Sequence, residues 1–329
     1  MIESRPWRTG KKIVNKSGSC TSVQVKEVNE TGDGQRIDNF LIKTLKGVPK
    51  SRIYRAIRSG EVRVNGRRAK AESRVYLGEK IRIPPLSIRN PAAEPGRQAG
   101  KSWTIPVVYE DDDILVVNKP CGLPVHAGTR HAYGLIDIMQ ASMDRGSQLQ
   151  LIHRLDLETS GCLLLSKSRE MLLKVHADIV STLGIQKQYL ALVRGSPKSD
   201  QMEVRLPLGK TKATDHRVKP DLSGRAAQSI LNVEKRFGNA SLLRIDLITG
   251  RMHQARVHCS ESGFPIAGDK RYGDRRFNRI MKNQGLNRLF LHAHRIHFFD
   301  LDDKPVTVSA PLPKELQDPL DLLKQSNEH

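Results

Sequence analysis

Apolar residues recur at helical spacing from Gly34 onward. In GQRIDNFLIKTL, Ile37, Phe40, Leu41 and Leu45 fall on one face, which predicts a short amphipathic helix starting at Asp33 or Gly34. After Gly47 and Pro49, SRIYRAIRSG predicts a second helix, capped by Ser51, with Ile53 and Ile57 inward and Gly60 as its stop. Arg52, Arg55 and Arg58 line its other face. The period then falls to two: Glu61-Val62-Arg63-Val64, a turn at Asn65-Gly66, the basic residues Arg67, Arg68 and Lys70, and a last strand Lys80-Ile81-Arg82-Ile83. Two helices and a small hairpin therefore form one unit over residues 23–85.

Residues 1–22 are basic and polar without a period and read as a flexible extension. Residues 86–104 hold Pro91, Pro95, Gly96 and Gly100 among charged and small residues and read as a linker, leaving 105–329 as a second domain. Strands are predicted there at 106–109, 114–117, 162–165, 189–193, 242–248 and 289–292, with a helical pattern in SREMLLKVHADIV, so the class is α+β. The acids at 110–113 read as a solvated hairpin turn rather than a metal site. No internal repeat at solenoid or propeller spacing is present.

Charge changes the picture. Lysine and arginine number 55 against 35 aspartate and glutamate, a formal charge of +20 spread along the whole chain, which points to a polyanionic partner. The four cysteines, Cys20, Cys121, Cys162 and Cys259, are scattered without a Cys-x-x-Cys pair and read as reduced thiols, not a zinc knuckle or disulfide framework. The first twenty residues lack the apolar core of a secretory signal, and no later apolar run reaches membrane-spanning length; a soluble cytoplasmic protein without a membrane partner is expected.

Candidate chemistry is most concentrated in His153-Arg154-Leu155-Asp156, which places charge just before the apolar run Cys162-Leu163-Leu164-Leu165. Kinase catalytic loops also carry His-Arg-x-Asp, but the chain has no Gly-x-Gly-x-x-Gly, no downstream Asp-Phe-Gly and no phosphate-binding Gly-x-x-x-x-Gly-Lys-Ser/Thr loop. The segments NKPCGLPVHAG (118–128), HRLDLETSG (153–161), KQYLALVRG (187–195) and GRMHQARVH (250–258), with GDKRYGD and LNRLFLHA after them, resemble the successive signatures of the ribosomal large-subunit pseudouridine synthases. Residues 23–85 resemble the small αL-type RNA-binding domain shared by a small-subunit ribosomal protein and tyrosyl-tRNA synthetases. Within it the three arginines and the basic hairpin form a patch suited to phosphates.

The resemblance implies a catalytic domain built on a central mixed, largely antiparallel sheet, acting on large-subunit ribosomal RNA. Converting uridine to pseudouridine breaks the base–ribose bond, turns the base and rejoins it through carbon, with no redox change, so no metal or cofactor is called for. One ionised carboxylate beside the nucleotide is. The resemblance assigns it to Asp156, with Arg256 as its cationic partner and Tyr189 stacking on the base. Whether Asp156 attacks the ribose, adds to the base or takes a sugar proton stays open. Arg154 is implied to fill the space left by the extruded nucleotide, and Leu291 to wall the uracil pocket. His153 reads as a loop stabiliser.

The third motif departs from the usual family form, with Met252 and Ala255 where threonine and isoleucine are common. The loss of a polar group at Met252 removes a candidate substrate hydrogen bond. Two other functions are compatible with this composition: a catalytically silent RNA-binding assembly factor, which an altered Asp156 would have favoured, and a pseudouridine synthase acting on transfer RNA. No obligate protein partner is evident.

Overall fold

The computed structural model describes residues 23–45, 48, 50–86, 103–126, 133–142, 149–178, 185–211 and 217–326. The extension at 1–22 and most of the expected linker lie outside the described residues. The chain divides into two compact units, one holding the described residues up to 86 and the other those from Trp103 onward.

In the first unit β1 (Gln24–Glu27), α1 (Ile37–Thr44), α2 (Lys50–Ser59), β2 (Arg63–Val64), β3 (Arg67–Arg68) and β4 (Lys80–Ile83) follow in order. The strands form a four-stranded antiparallel sheet ordered β1-β4-β2-β3. Its core gathers Ile37, Phe40, Leu41, Ile53, Ile57, Val62, Ile81 and Ile83, the apolar positions of the two helical faces and the hairpin. Asn65 and Gly66 both take positive φ, 46° and 78°, as a tight two-residue hairpin turn requires.

Two local expectations need correction, and one strand was not expected. Helix α1 starts at Ile37, later than Asp33 or Gly34. Gly34 is left-handed, the Asp33 carboxylate accepts from Leu77 N at 2.9 Å, and the first helical N–H, that of Ile37, donates to Ser73 O at 2.8 Å, so a neighbouring segment replaces a side-chain cap. Lys50 is already helical, which places Ser51 inside the first turn of α2, a shift of the size common at helix ends. Strand β1, with one half-buried and three exposed residues, has no alternation to announce it; pairing with β4 makes it a strand.

The second unit contains β5 (Val107–Glu110), β6 (Ile114–Lys119), α3 (Leu135–Ala141), β7 (Gln150–Leu151), β8 (Ser160–Ser166), α4 (Arg169–Asp178), β9 (Gln186–Arg194), β10 (Gln201–Arg205), β11 (Leu208–Lys210), β12 (Val218–Pro220), β13 (Gln228–Phe237), β14 (Ala240–Leu247), α5 (Gln254–Glu261), α6 (Arg275–Asn283), β15 (Leu291–Phe299), β16 (Pro305–Ser309) and α7 (Lys314–Ser326). Among the described residues ten strands make one sheet, with the path β10-β13-β14-β9-β15-β8-β6-β5 and β16 and β7 pairing at its side. Only the β15–β8 contact is parallel, so the sheet is mixed and largely antiparallel, and the class is α+β.

Alternation along the strands sends Leu163, Leu165, Tyr189, Ala191, Leu243 and Ile245 into one core, covered by Leu135 and Met139 of α3 and Ala255 and Cys259 of α5. Cys162, Leu164, Ile296 and Phe298 pack with Met171 and Val175 of α4 in a second core, and Leu192 with residues of α6 and α7 in a third. The strand expected at 289–292 instead runs Leu291–Phe299. Leu291 and Ala293 face the first core, while Ile296 and Phe298, of the opposite parity, face the second, and the histidines and arginine in HAHRIHFF hide the period. The pairing with β9 is interrupted by a bulge between Ala293 and Arg295. The acids at 110–113 build the β5–β6 turn: Asp111 Oδ1 accepts from Asp113 N and Ile114 N at 2.9 and 2.7 Å, and its Oδ2 accepts from the Tyr109 hydroxyl at 2.7 Å.

Candidate active site

Asp156 lies in the loop between β7 and β8, and its neighbours explain why that loop holds its shape. The ammonium of Lys119, at the end of β6, is fully buried and donates to Pro120 O (2.9 Å), Leu123 O (2.8 Å) and Leu157 O (3.3 Å), tying the NKPCGLP segment to the residue after Asp156. Burial pushes this lysine down to about 8. Gly122 N also donates to Leu157 O at 2.8 Å. On the other side Arg288 donates to Ser160 Oγ at 2.7 Å and to Glu158 O at 3.4 Å. His153 serves the loop rather than facing a substrate: its Nε2 accepts from Leu164 N at 3.1 Å, and burial pushes it down to about 3, so it is neutral.

Arg256 arrives from α5 and is nearly sealed from solvent. Its Nη1 stands 3.9 Å from Asp156 Oδ2, its Nη2 3.8 Å from Glu158 Oε2, and its guanidinium 5.2 Å from the ring centre of Tyr272. Its short bonds go elsewhere: Nε and Nη2 donate to the two oxygens of Asp269 at 2.7 and 2.8 Å. Burial works against the Asp269 charge, but this fork and the N–H groups of Tyr272 and Arg271 hold the carboxyl below its ordinary range. Arg256 is thus fixed by one carboxylate and offered to another.

His253 completes the surroundings. It caps α5 in the left-handed conformation (φ 55°), with Nε2 3.8 Å from Asp156 Oδ2 and Nδ1 2.9 Å from the Tyr272 hydroxyl, which accepts from Val218 N at 3.0 Å. Burial lowers its affinity for a proton, against the pull of Asp156. Neither approach to Asp156 is short enough for a hydrogen bond, so neither His253 nor Arg256 takes up an oxygen of its carboxylate.

Tyr189 sits on β9 opposite Ala293 of β15, and its phenol is pushed well above its ordinary value, by burial first and then by the charge of Asp156. It is a neutral hydroxyl at any working pH. Leu291 lies two positions before Ala293 on the same face and is buried in the same core. Arg154 is exposed, beside the loop's buried Leu155. In the first unit Arg52 pairs with Glu61 at 3.0 Å, whereas Arg55 and Arg58 are exposed.

The chain is 41% identical over 312 residues to ribosomal large subunit pseudouridine synthase C of Vibrio vulnificus, a match covering 93% of this chain and 98% of that protein. The chain belongs to the RNA pseudouridine synthase family. The enzyme of the same name from Escherichia coli K12 is 43% identical over 284 residues, 84% of this pseudouridine synthase and 89% of the relative. Residues 113–261 match the RNA pseudouridylate synthase family and residues 35–81 the S4 domain. The solved human RNA Pseudouridylate Synthase Domain Containing 4 superposes with a TM-score of 0.55 at 25% identity, covering 66% of this pseudouridine synthase and 92% of that chain.

Sequence reasoning brought Asp156, Tyr189 and Arg256 forward but missed Lys119, His253, Asp269 and Tyr272. Lys119 carried a signal, a lysine closing the apolar strand ILVVNK, where a charge needs buried partners. Asp269 stands in GDKRYGD, but nothing local ties it to Arg256.

Proposed function

We propose that this pseudouridine synthase isomerises uridines in large-subunit ribosomal RNA, with Asp156 as the carboxylate that acts on the target nucleotide. The observation that carries the reading is the clamp on Arg256: a buried guanidinium fixed by Asp269 presents its remaining face to Asp156 at 3.9 Å. That arrangement sets a fixed positive charge beside Asp156 in a place where a bound nucleotide would exclude water. The names of its bacterial relatives support the choice of RNA.

In this reading the bond between ribose C1′ and uracil N1 breaks beside Asp156, the base turns, a bond forms between C1′ and C5, and the C5 proton leaves while N1 ends protonated. Tyr189 supports the base and, being neutral, accepts the C5 proton only by passing its own onward. Leu291 walls the pocket, and Arg154 fills the stack that the nucleotide vacates. No helix among the described residues is long and apolar enough to cross a membrane, and the relatives that support this reading are bacterial, whose ribosomal RNA lies in the cytoplasm.

The test is to map pseudouridines in total RNA from cells with and without this protein, and from cells carrying Asp156→Asn. Sites in large-subunit ribosomal RNA that vanish in the null strain and stay absent with Asp156→Asn are expected, the variant still folding and binding RNA. Loss confined to transfer RNA would overturn the substrate, and no loss with retained RNA binding would make the protein a silent binding factor.

A further inference from the structure

Outside the Asp156 site, a cavity of about 400 Å³ is lined by Arg217, Asp269, Lys270, Arg271, Arg275 and Asn278, together with Gly273. Its volume falls within the ~300–1,000 Å³ of ordinary ligand sites. Four of the lining residues are cationic, and the lining acid is already neutralised. Both oxygens of Asp269 take the Arg256 fork, and Oδ1 also accepts from the N–H groups of Arg271 and Tyr272 at 2.8 and 3.0 Å. The neighbouring Asp274 is occupied as well, accepting from Phe277 N and from Arg194, each at 2.6 Å.

The cavity is built rather than incidental. Asn278 of α6 accepts from Gly268 N at 2.7 Å and donates to Asp269 O at 2.9 Å, and Gly273 N donates to the same carbonyl at 3.1 Å. A Cβ at Gly273 would stand 2.2 Å from Asp269 O, so the turn closes only without a side chain there. The wall is shared: Asp269 lines the cavity and clamps Arg256, which faces Asp156. The Asp269 carboxylate and the Arg256 guanidinium thus link the cavity wall to Asp156.

We propose that this cavity binds a backbone phosphodiester of the substrate RNA next to the target uridine, with Lys270 and Arg275 as its main charge contacts. The proposal rests on the reading of the chain as an RNA-modifying enzyme and adds a docking point in the catalytic unit, separate from the amino-terminal arginines. An anion with its own chain continuing on both sides suits an open site with cations on two sides, Lys270 from the turn and Arg275 from the start of α6, and both side chains are exposed.

The experiment compares the full-length protein with the variant Lys270→Gln/Arg275→Gln and the charge-retaining Lys270→Arg/Arg275→Lys. The probe is a large-subunit ribosomal RNA transcript, sparsely ethylated at its phosphates to find which ones must stay charged for binding. With the wild type, ethylation close to the converted uridine should block binding. With the glutamine variant that one interference should disappear, the salt slope of log K should flatten by roughly 0.7 to 0.9 per lost phosphate, and KM should rise several-fold with the saturated single-turnover rate nearly kept. The charge-retaining variant should restore all three. An unchanged interference map and slope in the glutamine variant would overturn the proposal, whether the cavity is empty in the complex or holds a free anion. Interference and salt slope need no turnover, so a wild type that binds but converts nothing would fault the functional reading while the phosphate site is still judged on binding.

Discussion

Asp156 and Asp269 share one guanidinium and do different work with it. Asp269, buried, holds Arg256 by a two-bond fork, and Asp156, partly exposed, meets the same group at 3.9 Å. Tyr189, proposed above to support the base, has a hydroxyl separable from its ring. Tyr189→Phe keeps the stacking surface, so we expect RNA binding to survive far better than product formation in single-turnover assays; lost binding with normal residual chemistry would assign Tyr189 the wrong role. The buried histidines set a pH limit. His292 receives the Ser160 hydroxyl on Nδ1 and gives Nε2–H to Ala310 O, and burial pushes it down to about 4, as it pushes His153 down to about 3. An unfolded histidine binds a proton below about 6.5, whereas these folded ones do not until the pH is far lower. The unfolded state therefore holds more protons across the window from about 6.5 to about 4. Stability is full above that window and falls as pH drops through it, by up to about 1.4 kcal/mol per pH unit for each histidine. Urea midpoints from pH 7 to pH 4.5 test this: His292→Gln should shed one histidine's share of the slope, and a flat wild-type profile would contradict the assignment.

At the scale of elements, the parallel contact between β8 and β15 carries a constraint. Where β8 meets β15, Gly161 pairs with Ala293 at φ 114°, and a Cβ there would lie 2.2 Å from Ala293 O. The same crossing delivers Ser160 to His292 and Arg288, so the end of the Asp156 loop is fixed by main-chain packing and by a chain of donors running from Arg288 through Ser160 and His292 to Ala310 O. Gly161→Ala should destabilise the catalytic unit by roughly 2 kcal/mol or more, through clash and unfavourable φ together. Chemical denaturation would measure it, and a change of under about 0.5 kcal/mol would mean that the crossing relaxes without cost.

Across the whole molecule, the first unit is expected to supply mainly phosphate contacts and the second the complete active site. Neutralising Arg52, Arg55 and Arg58 together should weaken RNA binding and flatten its salt dependence by up to roughly 0.7 to 0.9 log units per lost phosphate contact, while the rate at saturating RNA stays nearly constant. Because Arg52 is engaged by Glu61, the exposed Arg55 and Arg58 should carry most of the effect. An unchanged slope with a collapsed saturated rate would show that this patch organises catalysis instead. Much of the molecule was readable from the chain alone. Helical spacing of Ile53 and Ile57, the Asn65-Gly66 turn, the apolar run Cys162-Leu163-Leu164-Leu165 and the ordered motifs holding Asp156, Tyr189 and Arg256 are all written within short windows, where side-chain period and backbone preference act directly. Tertiary structure alone decided what those windows leave open. It started α1 late by lending Ser73 O as a cap, made β1 a strand by pairing, set the two faces of β15 against two different cores, and brought Lys119 under the Asp156 loop and Asp269 onto Arg256. Each of these joins groups that no local period relates, because a buried charge or an unpaired backbone group takes the partner that packing brings within reach, however far away it stands in sequence.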